Sequence, residues 1–178
     1  MSSHDNYSFQ ISHLTKEDAV DIANWQYPSP YELYSMDGSE EVVSVLLTHD
    51  YFLVSTESHH RFGYFCLGEE GRVPGGYHAN LYDDSDNIID LGLGIHPDYT
   101  GEGLGSSFVH AILQWIKINR QIEQVRLVVA LFNERAIRTY EKVGFSRTDI
   151  FYTRIGNWDI PFLTMTISLQ KTTLNSME

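Results

Sequence analysis

The chain has 178 residues and carries 12 Lys plus Arg against 24 Asp plus Glu, a formal net charge of -12 at pH 7. That length suits one domain with a sizeable core, and so acidic an average disfavours broad contact with nucleic acid or an anionic membrane. Cys66 is the only cysteine, which excludes an intrachain disulfide and fits a reducing compartment. The N-terminal MSSHDNYSFQ lacks the basic-then-apolar profile of a signal peptide, and no stretch approaches a membrane span, so a soluble cytoplasmic protein is expected.

FQIS at 9–12 reads as a first strand. In SHLTKEDAVDIANW, Thr15 is placed to N-cap a helix, with Asp18 three residues on and Ala19, Ile22 and Ala23 on its apolar side. YPSPYELYSMDG has two prolines and a Gly-containing turn, which predicts short irregular helices. EEVVSVLLTH at 40–49 reads as a helix, and YFLVST at 51–56 and RFGYFCLGEE at 61–70 as neighbouring strands. GRVPGGYHANLYDDSDN is rich in turn residues and is either a cover over a substrate site or a surface loop. IIDLGLGIH at 88–96 is a strand whose Gly92 and Gly94 permit a bulge or close approach of a ligand. From Gly103, the residues Leu104, Phe108, Ala111, Trp115 and Ile118 recur at spacings of 4, 3, 4 and 3, predicting a helix buried on that face. VRLVVALF at 125–132 is a buried strand, ERAIRTYEKV a short helix closed by Gly144, and FSRTDIFYTR and FLTMTISL at 162–169 supply late strands. With no repeat or linker, the order predicts a single mixed α/β domain over 1–178, its core at about 9–170.

HPDYTGEGLG, from His96 to Gly105, lies between a strand and a helix. Gly101, Gly103 and Gly105 either cradle a phosphate or form an ordinary turn. Glycines allow unusual dihedrals and uncover backbone N–H groups, and a helix start adds a positive end, so a pyrophosphate suits the segment. No GK[ST] follows, which excludes a Walker A loop, and the spacing is too short for a dinucleotide fingerprint. Farther on, Asn133, Ala136 and Tyr140 fall at spacings of 3 and 4, on one helical face. Either Asn133 is a cap and Tyr140 a core aromatic, or the small Ala136 admits a ligand beside a donor phenol.

These two segments together resemble the paired motifs of the GNAT superfamily of acyl-CoA-dependent N-acyltransferases. IIDLGLGIHPDYTGEGLGSSFVHAILQWI is similar to its central strand, pyrophosphate loop and following helix, and VRLVVALFNERAIRTYEKVGF to its next strand and helix. The resemblance implies a mixed, mostly antiparallel central sheet flanked by helices, with a central strand pair that splays apart after Gly92–Gly94. It places backbone groups of Gly101, Gly103, Gly105 and Ser106 around pyrophosphate, and those of Leu93 and Ile95 along pantetheine as an added strand, with Asn133 and Ala136 beside the cofactor. Thr100 departs from the family pattern, which has Arg or Gln there; Arg135 or Arg138 could supply charge instead. The implied reaction is direct transfer of acetyl from acetyl-CoA to a primary amine, with Tyr140 as acid for the leaving thiolate. The opposing reading is a noncatalytic acyl-CoA-binding sensor.

Asp90 is the candidate general base, against a purely structural role; His96 and His78 are weaker candidates. Cys66 reads as core packing, His59–His60 as an exposed pair, and no metal is expected. Trp25, Tyr27, Tyr31 and Tyr34 either shape an acceptor pocket, as the resemblance implies, or pack structurally. The acceptor expected is a small-molecule amine or a peptide amine. Overall charge favours a cationic one, such as a polyamine or amino sugar, and DDSD at 83–86 either attracts it or is a solvated loop. The assembly is expected to be a monomer or homodimer.

Overall fold

The computed structural model describes residues 8–58, 60–82 and 87–169. Seven strands form one sheet: β1 Phe9–His13, β2 Tyr51–Thr56, β3 Arg61–Leu67, β4 Ile88–Ile95, β5 Gln124–Ala130, β6 Ser146–Ile155 and β7 Trp158–Ser168, in the order β1-β2-β3-β4-β5-β7-β6. Only β4 and β5 run parallel; every other neighbouring pair is antiparallel. The helices are α1 Lys16–Ala23, α2 Glu40–Thr48, α3 Pro74–His78, α4 Gly105–Asn119 and α5 Glu134–Val143. Short 3-10 turns at Glu32–Tyr34, Gly68–Gly71 and Pro97–Tyr99 join them, the first in the proline-containing stretch.

Local chemistry accounts for the helix ends. Thr15 Oγ1 accepts from the Asp18 N–H at 3.2 Å while Asp18 Oδ2 accepts from the Thr15 N–H at 2.8 Å, a reciprocal cap that starts α1. Asn133 Oδ1 accepts from the Ala136 N–H at 3.2 Å to start α5, and Gly144, at φ 119°, ends it in a left-handed turn.

Alternation along the strands divides the core between two faces. Helices α4 and α5 cover one, over Phe65, Leu91, Leu127, Val129 and Met165. Helices α1 and α2 cover the other, over Leu53 and Cys66, and farther along that face Ala130, Phe151 and Phe162 pack with Leu33 and Tyr34. The buried stripe of α4 is Phe108, Val109, Ile112, Leu113 and Ile116. This departs from the face the spacing suggested: Trp115 is half-buried and Ile118 is 80% exposed. Two apolar stripes share Phe108 on this helix, and the sheet takes the one that continues through Val109, Ile112 and Ile116, rotating Ile118 outward.

Two further expectations are revised. The 71–87 connection is neither a cover nor a plain surface loop in its described part. Its helix α3 buries Gly75 and Gly76, and the Gly75 N–H donates to Thr153 Oγ1 on β6 at 3.0 Å; DDSD lies outside the described residues. The parallel pair also separates earlier than Gly92–Gly94, because its last paired residues are Asp90 and Arg126. Beyond them β4 stays with β3 as far as Ile95, and β5 follows β7 to Ala130.

Candidate active site

The ion pair at the fork explains where the strands part. Arg126 donates from Nε to Asp90 Oδ1 at 2.6 Å and from Nη2 to Oδ2 at 3.1 Å. Arg72 Nε donates to Asp90 Oδ2 at 2.7 Å, and both guanidiniums lie over the Tyr82 ring. Asp90 is 2% exposed and does not line the cleft that opens beyond it. This placement favours the structural role over the expected one as base: the carboxylate is held by two guanidiniums and is not among the cleft-lining residues.

The cleft between the parted strands has a volume of about 460 Å³. The His96 N–H donates to the Phe62 carbonyl at 2.8 Å, and antiparallel pairing alternates in twos from that point. Gly94 therefore bonds toward β3, and Leu93 and Ile95 turn their amides and carbonyls into the cleft. The Tyr27 hydroxyl donates to the Ile95 carbonyl at 2.8 Å. Opposite, the Ala130 N–H leaves the β7 side and donates to the Tyr34 hydroxyl at 3.2 Å, to which Asn133 Nδ2 also donates at 3.3 Å. Asn133 is thus a cap through its oxygen and a cleft residue through its nitrogen.

One end of the cleft is built for an anion. Gly101 and Gly103, at φ 84° and 80°, turn the backbone into the left-handed region, and a Cβ on Gly103 would meet nothing within 4 Å. Helix α4 follows with no side-chain cap and no acidic residue in its first turn, so its first amides point outward unpaired by any side chain. Gly101, Gly103, Gly105 and Ser106 all line the cleft, with Arg135, Arg138 and Lys142 of α5 beside them. Thr100 donates from Oγ1 to the Pro97 carbonyl at 2.8 Å, which closes the turn rather than reaching for a ligand. The charge missing there comes from α5, where Arg135 Nη1 lies 3.6 Å from a Cβ placed on Gly101. This end fits a pyrophosphate, and the two free strand edges fit an extended amide-bearing chain such as pantetheine.

Tyr140 and Ala136 line the same cleft from α5. Burial, and secondarily the neighbouring Tyr34, holds the Tyr140 phenol above the ordinary tyrosine value of 10.0. Its hydroxyl makes no hydrogen bond among the described residues. The opposite sheet face contributes Tyr27, Tyr31, Tyr34 and Tyr64. Burial raises the phenols of Tyr27, Tyr34 and Tyr64 as well, for Tyr34 against its bonds from Asn133 and Ala130. Gly94 makes room here, since a Cβ on it would come within 2.7 Å of the Tyr64 ring. Trp25 is buried core instead, packed on Tyr64 and on His96.

The remaining candidates are not among the residues lining the cleft. His96 Nδ1 accepts from the Asp98 N–H at 3.1 Å, and exposed His78 has Nδ1 3.1 Å from the Pro74 carbonyl. Cys66 is 3% exposed, and burial pushes its thiol up to about 12, as a packing residue would have it. Among the described residues no cluster of His, Cys, Asp or Glu is placed to hold a metal, and no helix is long and apolar enough to cross a membrane. Tyr64 and Tyr99 line the cleft without having been foreseen. The signal for Tyr64 is its register opposite Gly94, which emerges only once β3 and β4 are paired.

A parallel pair thus parts beside a glycine turn, an uncapped helix and a phenol. The chain belongs to the acetyltransferase (GNAT) family, whose sequence model matches residues 19–145. Comparison with curated protein sequences found no match. Among solved structures, a GNAT-family acetyltransferase from Bacillus anthracis superimposes with a TM-score of 0.70 at 16% identity, covering 90% of this chain and 94% of that one. The aminoglycoside acetyltransferase AAC(6')-Ib, solved in complex with coenzyme A, gives 0.68 at 19% identity, covering 90% and 95%. A chimera of the spermidine N-acetyltransferase SpeG from Vibrio cholerae gives 0.64 at 19% identity with the same coverage. At these identities the likenesses concern the fold.

Proposed function

We propose that this protein moves an acetyl group from acetyl-CoA to a primary amine by direct attack in a ternary complex. One observation carries the reading: a glycine turn with an uncapped helix, an unbonded phenol and an aromatic chamber all line a single cleft through the sheet. The pyrophosphate lies against Gly101, Gly103, Gly105 and Ser106, with Arg135 alongside. Pantetheine runs between the free edges, bonding the backbone of Leu93 and Ile95 and passing Asn133 and Ala136. The amine nitrogen attacks the thioester carbonyl, and the Leu93 N–H, facing the gap, steadies the oxygen as charge develops on it. The carbon–sulfur bond breaks, the Tyr140 phenol gives its proton to the thiolate, and the proton shed by the new amide nitrogen restores the phenol through water. Bringing the two reactants together supplies much of the acceleration.

Tyr140→Phe tests the acid. Turnover should fall about 100-fold or more while the KM for acetyl-CoA stays within a few-fold. Because the Tyr140 phenol is held above 10.0, wild-type kcat should show no falling limb between about pH 7 and 9.5. Unchanged turnover in the variant removes Tyr140 from the mechanism. Acetyl-CoA binding with no turnover on any amine makes the protein an acyl-CoA-binding sensor.

A further inference from the structure

The acceptor side of the cleft is furnished with phenols, and no carboxylate or imidazole is among its described lining residues. Tyr27, Tyr31, Tyr34 and Tyr64 line it, and none of the cleft-lining described residues is an aspartate, glutamate or histidine. The carboxylates set close behind are committed elsewhere. Asp90 is held by Arg72 and Arg126, and Glu70 pairs with His49 at 2.9 Å and lies 3.5 Å from the Tyr51 hydroxyl. Asp21 accepts from Trp25 Nε1 at 3.1 Å. Burial keeps the phenols of Tyr27, Tyr34, Tyr64 and Tyr140 protonated to higher pH than an ordinary tyrosine. The fixed charges that face the cleft are positive: Arg135, 4.8 Å over the Tyr31 ring, with Arg138 and Lys142 farther along α5.

This lining acts against a charged amine. An alkylammonium with the basicity of a lysine leaves about a thousandth of its molecules neutral at pH 7.4, and here nothing lining the chamber removes the extra proton. A polyamine or amino sugar would also find no carboxylate among the described residues of that lining to pair with its charge. A flat, neutral body instead stacks against the phenol faces.

We infer that the acceptor is a weakly basic aryl-substituted amine, neutral at physiological pH, and not a polyamine or amino sugar. This rests on the acetyl-transfer reading and specifies its acceptor. The neutral nitrogen attacks the thioester carbonyl, the nitrogen–carbon bond forms as the carbon–sulfur bond breaks, and the nitrogen passes one proton to water once it is acylated. Its acidity then no longer resembles that of an alkylammonium, so no strong base is required.

The test uses the wild-type chain, acetyl-CoA and three amines: p-anisidine, benzylamine and spermidine. Thiol release gives the rate and mass spectrometry identifies the acetylated product. Benzylamine keeps the ring and restores strong basicity, which separates aromatic fit from protonation. At about pH 7.4, kcat/KM for p-anisidine should exceed that for benzylamine and for spermidine at least about tenfold. Between about pH 7 and 9 the benzylamine rate should rise roughly tenfold per pH unit while the p-anisidine rate stays flat. Preference for spermidine or benzylamine, or a flat benzylamine profile, overturns the inference and leaves acetyl transfer standing. Calorimetric binding of acetyl-CoA with no product from any of the three amines at any pH overturns this inference, and acetyl transfer falls with it only when a wider panel of small-molecule and peptide amines also gives no product.

Discussion

Asp90→Asn separates a structural carboxylate from a catalytic one. The Asp90 side chain is 3% exposed and receives three hydrogen bonds from two guanidiniums, those of Arg126 (6% exposed) and Arg72 (15% exposed). The amide keeps the shape but loses the charge, and it turns an N–H₂ toward one of its donors. Removing one partner of a buried ion pair costs about 3–5 kcal/mol, because the charge left behind stays desolvated. For a chain of this size each kcal/mol lowers Tm by about 2–4 °C, so the variant should melt roughly 6–20 °C below wild type. Circular dichroism melts at one protein concentration, with and without acetyl-CoA, read this directly. At a temperature where both proteins are folded, the variant should keep the wild-type pH dependence of kcat. A melt within about 2 °C of wild type refutes the structural argument. An unchanged melt with a lost limb in the pH–rate profile would restore Asp90 as base.

Arg135→Ala should weaken acetyl-CoA binding roughly 10- to 150-fold, since a charge-assisted hydrogen bond is worth about 1.5–3 kcal/mol; its binding should also lose part of its salt sensitivity. An affinity equal to wild type in calorimetry would show that α5 does not stand in for the long donor missing at Thr100. Thr15→Ala removes a cap worth about 1 kcal/mol. Burial alone would raise the Asp18 carboxyl, but bonds from Thr15 and Arg61 outweigh it and hold the group below its ordinary 3.8. A depressed carboxyl contributes stability above its unfolded value and loses it as pH falls through the folded one, so the deficit of the variant in urea melts should shrink below about pH 4. Cys66 should not react with a disulfide reagent until the chain unfolds, its thiol being buried and raised to about 12; rapid labelling of native protein would contradict the packing.

Much of the fold is legible in the sequence because its signals are local. The α1 cap is written in Thr15 and Asp18, the end of α5 in Gly144, and the cofactor turn in glycines between a strand and a helix. What escapes local reading is decided by partners distant in sequence. The fork falls at Asp90 rather than Gly92 because Arg126, on another strand, and Arg72, in a loop, converge on one carboxylate. The face of α4 cannot be chosen from spacing when two apolar stripes share the helix; the strands beneath select one. Tyr64 enters the cleft by register, and Tyr34 by the bonds its hydroxyl receives from Ala130 and Asn133, both about a hundred residues away.

The acceptor shows the same limit in electrostatic form. A net charge of -12 suggests a cationic substrate only if the average field reaches the reacting nitrogen. Screening confines exposed charges to roughly 8–10 Å at physiological ionic strength, so groups across the molecule count for little inside a cleft. What counts there is the lining, and Arg135, Arg138 and Lys142 are its charged members among the described residues, while Asp18, Glu70 and Glu141 pair elsewhere. The acidic surface then governs solubility, and the cleft, locally positive at its phosphate end and phenolic at the other, governs chemistry. An anionic donor and a neutral acceptor are the pair of substrates that this arrangement accommodates without a buried base.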